Sequence, residues 1–435
     1  MSWTKKLIYL TIYWICLDSL INRYLWNSPI ITLLPDILVI SISLFSPNKK
    51  PLSKVIGKTT LIVFTTFFTV GSLSAVINGT PLTCFLWGLR MLIRYPLLFY
   101  IMYQHFNITD VSILKKNLYQ SFWINAIFIC LQFSQGITGD AMGGIWAGNG
   151  ILAVYILLSI IIYERDYFVG KMSLLNFSFK VIFFFICATW SEIKMLYFII
   201  PITIYITYCF FHKFNISQIL IIIIGYFTLI PTIQWGLSFY YDQDYINTLN
   251  IESLNDYNNG DYGFSGYSYN RGTCIQLATT QFLKEPLHLL IGHGIGSATI
   301  SNLFPSEIGT KYGSITYYSY FTSSYALIEV GWGGFILYLL FYLFLFSTFL
   351  NTYKRKNNYT EVKGWAAIGC LTALITFIII YYNSTSYNDY YFAYIIWAMC
   401  AISIRDHYIL RLQNDNKCTH INKSSSNHIY YLSIK

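Results

Sequence analysis

Two arginines inside one apolar segment are the first groups of this sequence that could do chemistry. Arg90 and Arg94 lie four residues apart, so they share one face of a helix. If the segment starts at Cys84, they lie about 9 and 15 Å along it, at 1.5 Å per residue. An arginine near the middle of a bilayer costs at least about 2.5 kcal/mol unless it faces a polar cavity or an anion. Snorkelling suits Arg90 better than Arg94, so the spacing indicates a cavity-lining or anion-binding role for at least one of them.

A further cation stands at a short turn between two apolar segments. The turn runs from Trp190 to Lys194 and reads WSEIK. In one interpretation, Glu192 and Lys194 are a solvated pair at the start of a helix. In the other, Lys194 binds an anionic group, assisted by the positive end of the helix dipole. The sequence leaves both open.

The longest polar stretch, from about Trp235 to Ser319, contains two more candidates. Arg271 opens a predicted helix whose apolar spacing stops at Pro286. The GHGIGS segment that follows, residues 292–297, predicts a tight turn whose bare backbone amides could approach a phosphate or a sugar. It lacks the third glycine and the βαβ context of a dinucleotide-binding loop. His293, within this turn, is either an ordinary turn residue or a catalytic base.

Glu329 lies near the start of the next apolar segment, close to a predicted membrane boundary. Gly331, Gly333 and Gly334 follow it and permit close approach of another helix. A carboxylate at this depth is costly unless it is paired, and Arg271 is a candidate partner. Pairing with Arg271 and action as a general base are both compatible with the sequence.

The elements that must position these residues are apolar segments long enough to cross a bilayer. The chain has 435 residues, of which 55% are hydrophobic and 11% charged, and a membrane-spanning helix needs about 20 apolar residues. The sequence therefore predicts an all-α polytopic membrane protein, a single domain over residues 1–435 with about twelve transmembrane helices. The predicted spans lie near residues 7–21, 30–46, 56–78, 84–103, 118–134, 143–163, 176–190, 194–211, 217–235, 320–350, 364–382 and 389–404.

The basic residues predict the orientation. With the N-terminus in the cytoplasm, 20 of the 28 basic residues fall in cytoplasmic segments, five in the opposite segments and three within spans. This asymmetry follows the positive-inside rule, so both termini are predicted to be cytoplasmic. A large, partly helical extracytoplasmic loop is then expected over 236–318, and a cytoplasmic tail over 405–435. No cleavage site follows the first apolar segment, which predicts a retained span and not a removed signal peptide.

Other classes of protein fit the composition less well. The nine cysteines are scattered singly, without a C-x-x-C pair or a His/Cys cluster, so we expect neither disulfides nor a structural metal. The net charge of +9 is spread over short loops and not over one face, which disfavours a nucleic-acid partner. No internal repeat is visible, which disfavours a transporter built from paired repeats.

Taken together, the motifs resemble the O-antigen polymerase and ligase superfamily of bacterial inner membranes. The resemblance rests on the helix led by Arg271, the P-x(5)-G-x-G-x-G turn of residues 286–296, and the E-x-G-x-G-G start of a helix at Glu329. The number of predicted spans and the late outer loop extend the likeness over most of the chain.

Two further positions add to the resemblance. The segment of residues 143–157 is similar to the family's G-x-x-G-N-x-N-x-x-A pattern, with Asn149 and Ala153 at the matching places and Gly148 and Gly150 differing in detail. Lys194 looks like the basic residue that follows a short serine-containing turn in that family.

The resemblance implies a GT-C-like, metal-independent membrane glycosyltransferase without a cofactor. Such an enzyme moves a growing glycan from undecaprenyl pyrophosphate onto the end sugar of a new lipid-linked repeat unit. Cations stabilise the departing pyrophosphate, and Glu329 or His293 acts on the acceptor hydroxyl. The implied substrate-binding residues are Arg271, Lys194, Arg90, Arg94 and Asn149. The implied partners are undecaprenyl-pyrophosphate-linked glycans, membrane lipids and a chain-length regulator, the polysaccharide co-polymerase.

One departure separates the two branches of this superfamily. The ligase branch usually has a histidine about eight residues before the E-x-G motif, and in this chain Phe321 and Thr322 hold that place. The sequence therefore favours the polymerase over a ligase that transfers polymer to lipid A core. A lipid-linked oligosaccharide flippase is a further alternative, although the long outer loop argues against it.

Overall fold

The structure is a computed structural model that describes residues 2–25, 29–46, 50–146, 148–212, 269–301, 303–356 and 360–409. Within these ranges the chain forms helices and turns, with no strand, so the all-α prediction is confirmed for this part of the chain. The predicted span near 217–235, residues 236–268 of the predicted outer loop and residues 410–435 of the predicted tail lie outside the described residues.

The described residues form sixteen α-helices along the chain. They are α1 (Trp3–Tyr24), α2 (Pro29–Phe45), α3 (Ser53–Ile56), α4 (Lys58–Ile77), α5 (Leu82–His105), α6 (Ile108–Ser134), α7 (Asn149–Phe168), α8 (Leu174–Trp190), α9 (Lys194–Phe211), α10 (Cys274–Phe282), α11 (Pro286–Ile291), α12 (Glu307–Thr316), α13 (Thr322–Lys354), α14 (Thr360–Tyr382), α15 (Thr385–Asn388) and α16 (391–409). Short 3₁₀ turns lie at Gly139–Ala141 and Tyr318–Tyr320.

Five of the described helices are long and apolar enough to cross a membrane: α4, α5, α9, α13 and α14. Shorter apolar stretches occur at Leu33–Phe45 and Leu174–Trp190. Each predicted span that lies on described residues coincides largely with a helix. The chain thus has the helical architecture of a membrane-spanning protein, while the number twelve and the GT-C-like arrangement stay predictions.

The predicted span over 143–163 differs from the structure at its start. Helix α7 begins only at Asn149, and residues 143–146 form a turn. The side chain of Gln132, from α6, accepts hydrogen bonds from the amides of Gly143 and Gly144 at 3.2 and 2.8 Å. These glycines favour a turn because they lose more conformational freedom in a helix than other residues, so α7 starts after this turn.

The core of the bundle lies along α7 and α14. Residues 152–166 of α7 are buried throughout, and residues 152–162 are apolar on all faces apart from Ser159, as expected for a buried helix. On α14, Gly369 allows α13 to come close, since a Cβ at this position would lie 2.5 Å from the ring of Phe349. Small residues at such crossings are how apolar helices pack without a hydrophobic driving force between them.

The two ends of the bundle carry different parts of the chain. One end carries ion pairs between basic and acidic side chains, including Lys115–Asp166 and Arg165–Asp166 at 2.8 Å, and Arg405–Asp406 at 2.7 Å. The other end, which we call the loop end, carries residues 78–81, 135–146, 148, 191–193, 269–301, 303–321 and 383–389. The first end holds many of the residues predicted to be cytoplasmic, and the orientation itself stays a prediction.

Candidate functional site

The glycine-rich turn at the loop end is fastened to a kink in α13. Gly331 has φ 62° and ψ −173°, which interrupts the helical hydrogen bonds there. The carbonyl oxygens of Ile328 and Glu329 instead accept from the amides of His293 and Gly294, at 2.9 and 2.7 Å. The E-x-G motif and the G-x-G-x-G motif are therefore two halves of one backbone contact.

The side chain of Glu329 completes this contact. Its Oε1 accepts from the amides of Gly296 and Ala298 at 2.9 and 3.4 Å, and its Oε2 accepts from the hydroxyl of Tyr387 at 2.8 Å. The residue is 1% exposed. Three donors compensate a buried carboxylate well, so in this structure Glu329 is held by the turn and by Tyr387, and not by the expected ion pair with Arg271.

The turn's own amides are used within the protein. Besides the bonds to Ile328 and Glu329, the amide of Ile295 donates to the carbonyl of Gly71 on α4 at 3.2 Å. The expectation that these amides approach a phosphate or sugar is therefore wrong for the amides of residues 293–296. The physical reason is that a buried amide must find an acceptor, and two packed helices supply the acceptors at this turn.

We predict that Gly292→Ala destabilises the protein more than Gly79→Ala does. Both glycines have positive φ, 68° and 64°, so both alanines incur about 1–2 kcal/mol of backbone strain. A Cβ at Gly292 would lie 2.5 Å from the amide nitrogen of Gly331, whereas nothing lies within 4 Å at Gly79. Overpacking adds about 1–3 kcal/mol. Thermal unfolding of the two purified variants measures the difference, and equal melting temperatures would contradict the close contact.

His293 lies in a structural position. Its Nε2 is 3.0 Å from the carbonyl oxygen of Phe282, and its ring stacks on that of His288 with centroids 4.1 Å apart. Burial lowers the pKa of His293 below its usual range, which favours the neutral ring with Nε2 donating to the carbonyl. These contacts tie the end of α10 to the turn, and the catalytic role of His293 stays a prediction that the geometry does not favour.

Lys194 and Arg271 are brought together at the loop end. Lys194 is buried at the first residue of α9, and Arg271 lies close enough to influence it electrostatically. The guanidinium of Arg271 lies over the ring of Tyr382 at 4.5 Å and near that of Phe321 at 5.9 Å. Two cations from distant parts of the chain thus lie near each other.

Asn149 adjoins this pair of cations. Its Nδ2 donates to the carbonyl of Ser191 at 3.2 Å and to the carboxylate of Asp140 at 2.5 Å. Glu192, in the same turn, has φ 54°, an uncommon conformation for a residue with a side chain. Burial raises the pKa of the Glu192 carboxyl above its usual range, and the charge of Lys194 acts in the opposite direction. The group therefore combines two cations with two carboxylates, Asp140 and Glu192.

Arg90 and Arg94 belong to a separate group. Arg90 pairs with Asp36, and Arg94 pairs with Asp389 at 2.8 Å while also donating to the carbonyl of Asn388 at 2.6 Å. Carboxylates therefore balance the charge of both arginines. Neither Asp36 nor Asp389 is among the residues predicted from the sequence, although Asp36 lies in the middle of an apolar span, where an acidic residue itself indicates a charged partner.

Several buried polar atoms near residues 383–391 and the two arginines have no hydrogen-bond partner within the part of the chain that the structure describes. They are Nη1 of Arg90, Nε of Arg94, Nδ2 of Asn383, Oδ1 of Asn388 and the hydroxyl of Tyr391. Buried polar atoms are nearly always hydrogen-bonded in folded proteins. Such a concentration indicates a place where a polar ligand or ordered water completes the bonding.

The segment of residues 383–389 joins the two groups of cations. At its start, Arg271 lies over the adjacent ring of Tyr382, and at its end Asp389 pairs with Arg94. Between them, Tyr387 donates to Glu329. The structure therefore places Lys194 and Arg271 near one end of this short segment, and Arg90 and Arg94 near the other. Glu329 contacts the middle of the segment through Tyr387.

No protein-family model matches this chain, and no curated protein matches it.

Proposed function

We propose that this chain is a membrane glycosyltransferase that polymerises undecaprenyl-pyrophosphate-linked repeat units into O-antigen or a related surface polysaccharide. The observation that carries the proposal is the proximity of Lys194 and Arg271, 77 residues apart in sequence, at the loop end of an apolar helical bundle. The membrane is then the bacterial inner membrane, with the loop end facing outward and both termini in the cytoplasm.

The proposed reaction needs little more than positioned charge. A hydroxyl of the acceptor sugar attacks the anomeric carbon of the donor glycan, the bond from that carbon to pyrophosphate breaks, and the pyrophosphate leaves with the electron pair. Arg271 can present two parallel N–H donors to the departing phosphate, while Lys194 acts as a compact charge. Preorganised cations of this kind stabilise the charge that develops in the transition state.

The proton of the acceptor hydroxyl needs an acceptor near these cations. Glu329 already accepts three hydrogen bonds and is 1% exposed. Glu192 lies beside Lys194 and is only half-buried, so its carboxylate is more accessible to an acceptor hydroxyl. The geometry supports Glu192 over Glu329 for this step.

The local structure around Phe321 supports the polymerase over the ligase. Where the ligase branch usually has a histidine, Thr322 donates its hydroxyl to the carbonyl of Asn383 at 2.8 Å and lies 2.7 Å from the hydroxyl of Ser386. Neither Thr322 nor Phe321 can relay a proton as an imidazole does. The acceptor is then a lipid-linked repeat unit and not lipid A core.

We predict that deleting the gene changes surface polysaccharide in a way that identifies the acceptor. Loss of a polymerase leaves lipopolysaccharide that carries a single repeat unit, because units are joined before transfer to lipid A. In a host that displays a capsule, the deletion removes long chains and leaves the single lipid-linked unit. Gel electrophoresis of lipopolysaccharide measures the number of repeat units that it carries, and analysis of the lipid-linked pool measures the units left on the lipid.

A deletion strain with bare core and long polymer still on undecaprenyl pyrophosphate would show the ligase activity instead. Complementation with the wild-type gene is the control for effects on neighbouring genes. A deletion strain with unchanged polysaccharide would contradict both the polymerase and the ligase assignment.

A further inference from the structure

A cavity lies between α1, α6, α7 and α16, and no residue of its lining belongs to the candidate site. Its volume is about 310 Å³. The lining is mostly apolar and includes Leu17, Ile124, Trp146, Leu158, Phe392 and Ile396. An apolar cavity of roughly 150 Å³ stays dry and binds benzene. The cavity described here therefore has room for a ligand of about two aromatic rings.

The cavity opens between α1 and α6, which hydrogen bonds join on either side of the opening. On one side, Nδ2 of Asn117 donates to the hydroxyl of Tyr13 at 2.6 Å. On the other side, Nε2 of Gln132 donates to the hydroxyl of Tyr24 at 2.9 Å. Leu17 lines the cavity between these two bonds and is 41% exposed. Because both helices coincide with predicted spans, the opening faces the hydrocarbon of the bilayer in the predicted topology, and a lipid-soluble ligand can enter there.

One buried donor in the lining has no acceptor. Nε1 of Trp146 has no hydrogen-bond partner within the part of the chain that the structure describes, and the residue is 1% exposed. The rings of Tyr155 and Phe392 hold the indole in place, with centroids 4.9 and 4.8 Å from its own. Buried polar atoms are nearly always hydrogen-bonded, and an indole N–H can only donate. A ligand that brings an acceptor into the cavity would complete this bonding.

These features select the chemistry of the occupant. Water needs two to four polar partners, and the lining is mostly apolar. A saturated acyl chain fills apolar space but carries no acceptor along its length. The ester groups of a phospholipid stay near the membrane surface, whereas the ring of Trp146 packs on Tyr155, which lies six residues, or about 9 Å, into α7. A compact carbonyl compound satisfies both the apolar lining and the indole donor.

We propose that this cavity binds a lipid-soluble carbonyl compound of about two rings, whose oxygen accepts a hydrogen bond from Nε1 of Trp146. The inference goes beyond the proposed glycosyl transfer and does not depend on it, because it uses neither the cations nor the carboxylates of the candidate site.

The test uses the full chain in phosphatidylcholine nanodiscs with tritiated benzophenone as the probe. Benzophenone has two rings and one carbonyl group, and on irradiation it crosslinks to neighbouring C–H groups. We expect saturable crosslinking to peptides that line the cavity. Diphenylmethane is the matched competitor, since it has the same two rings without the oxygen. Displacement of the probe should need at least about fivefold more diphenylmethane than unlabelled benzophenone, because only the ketone accepts from Trp146.

Trp146→Phe tests the hydrogen bond directly. Phenylalanine keeps an aromatic ring in the lining but has no N–H group. We expect the two competitors to become equally effective in this variant, and displacement by diphenylmethane at its wild-type concentration shows that the cavity is still formed. A fivefold preference for benzophenone that persists in Trp146→Phe would overturn the proposal.

Leu17→Trp tests the place of binding, since it puts a larger side chain at the opening. We expect saturable crosslinking to fall at least about tenfold. Leu10→Trp is the matched control, because Leu10 lies on the same helix, is 50% exposed and does not line the cavity. This control should crosslink as the wild type does.

Equal displacement of the probe by the two competitors on the wild-type protein would overturn the proposal, since the cavity would then accept any apolar molecule of this size. Crosslinking that does not saturate would overturn it too, as would equal crosslinking of Leu17→Trp and Leu10→Trp. If Leu17→Trp does not fold, the competition on the wild-type protein decides alone.

Discussion

An Arg271→Ala variant is expected to make no detectable polymer while its abundance in the membrane stays near that of the wild type. Removing one preorganised donor from a developing anion costs about 100-fold or more in rate, and Arg271 is one of the two neighbouring cations at the loop end. Arg271→Lys should restore only part of the activity, because an ammonium lacks the planar fork that binds two phosphate oxygens. Polymer length on gels and quantitative immunoblots of membranes measure the two quantities.

The control for this experiment is Lys284→Ala. Lys284 is an exposed cation that follows α10, the helix that Arg271 precedes, so its removal changes the net charge of the region by the same amount. We expect normal polymer from this variant. Full activity of Arg271→Ala at normal abundance would eliminate Arg271 as a pyrophosphate-binding residue, whereas loss of activity in both variants would indicate a general electrostatic effect.

The sequence predicts the elements of this fold well because a long apolar segment has few alternatives. A segment such as residues 58–77 can satisfy its backbone in a membrane only as a helix, and the structure has α4 there. The predicted start of α7 lies six residues too early because Gly143 and Gly144 look apolar in a hydropathy count. Their amides are in fact bonded to Gln132, a tertiary contact that no local pattern records.

The candidate site is predictable only in part, for the same reason. The alternating glycines of residues 292–296 predict a turn, but whether its amides face a ligand or a helix depends on the kink at Gly331, more than 30 residues away. Likewise, the depth of Arg94 in its apolar segment indicates that the guanidinium needs a polar or anionic partner, but it does not identify that partner. The partner, Asp389, lies almost 300 residues later and is brought close only by the packing of α5 against the segment that contains it.

Replacing Glu329 by alanine is expected to lower the abundance of the protein strongly, and replacing it by glutamine is not. The alanine variant leaves the amides of Gly296 and Ala298 and the hydroxyl of Tyr387 without the acceptor they have now. Each buried group left unsatisfied costs about 1–3 kcal/mol, and the sum is comparable with the total stability of many proteins, about 5–15 kcal/mol. Membrane abundance and the melting temperature of purified protein measure the loss, with Glu307→Ala, an exposed carboxylate of the same loop, as the control.

Glutamine at position 329 separates an anchoring role from catalysis. Its carbonyl oxygen can still accept from the two amides, and its NH₂ group can donate to the hydroxyl of Tyr387, which is able to rotate and accept. The turn therefore stays fastened to α13, and we expect both normal abundance and normal polymer. If Glu329 is instead the proton acceptor of the reaction, the same variant folds normally and makes no polymer, because an amide cannot take the proton. Normal abundance of Glu329→Ala would contradict the anchoring role, since the three donors would then have been satisfied without the carboxylate.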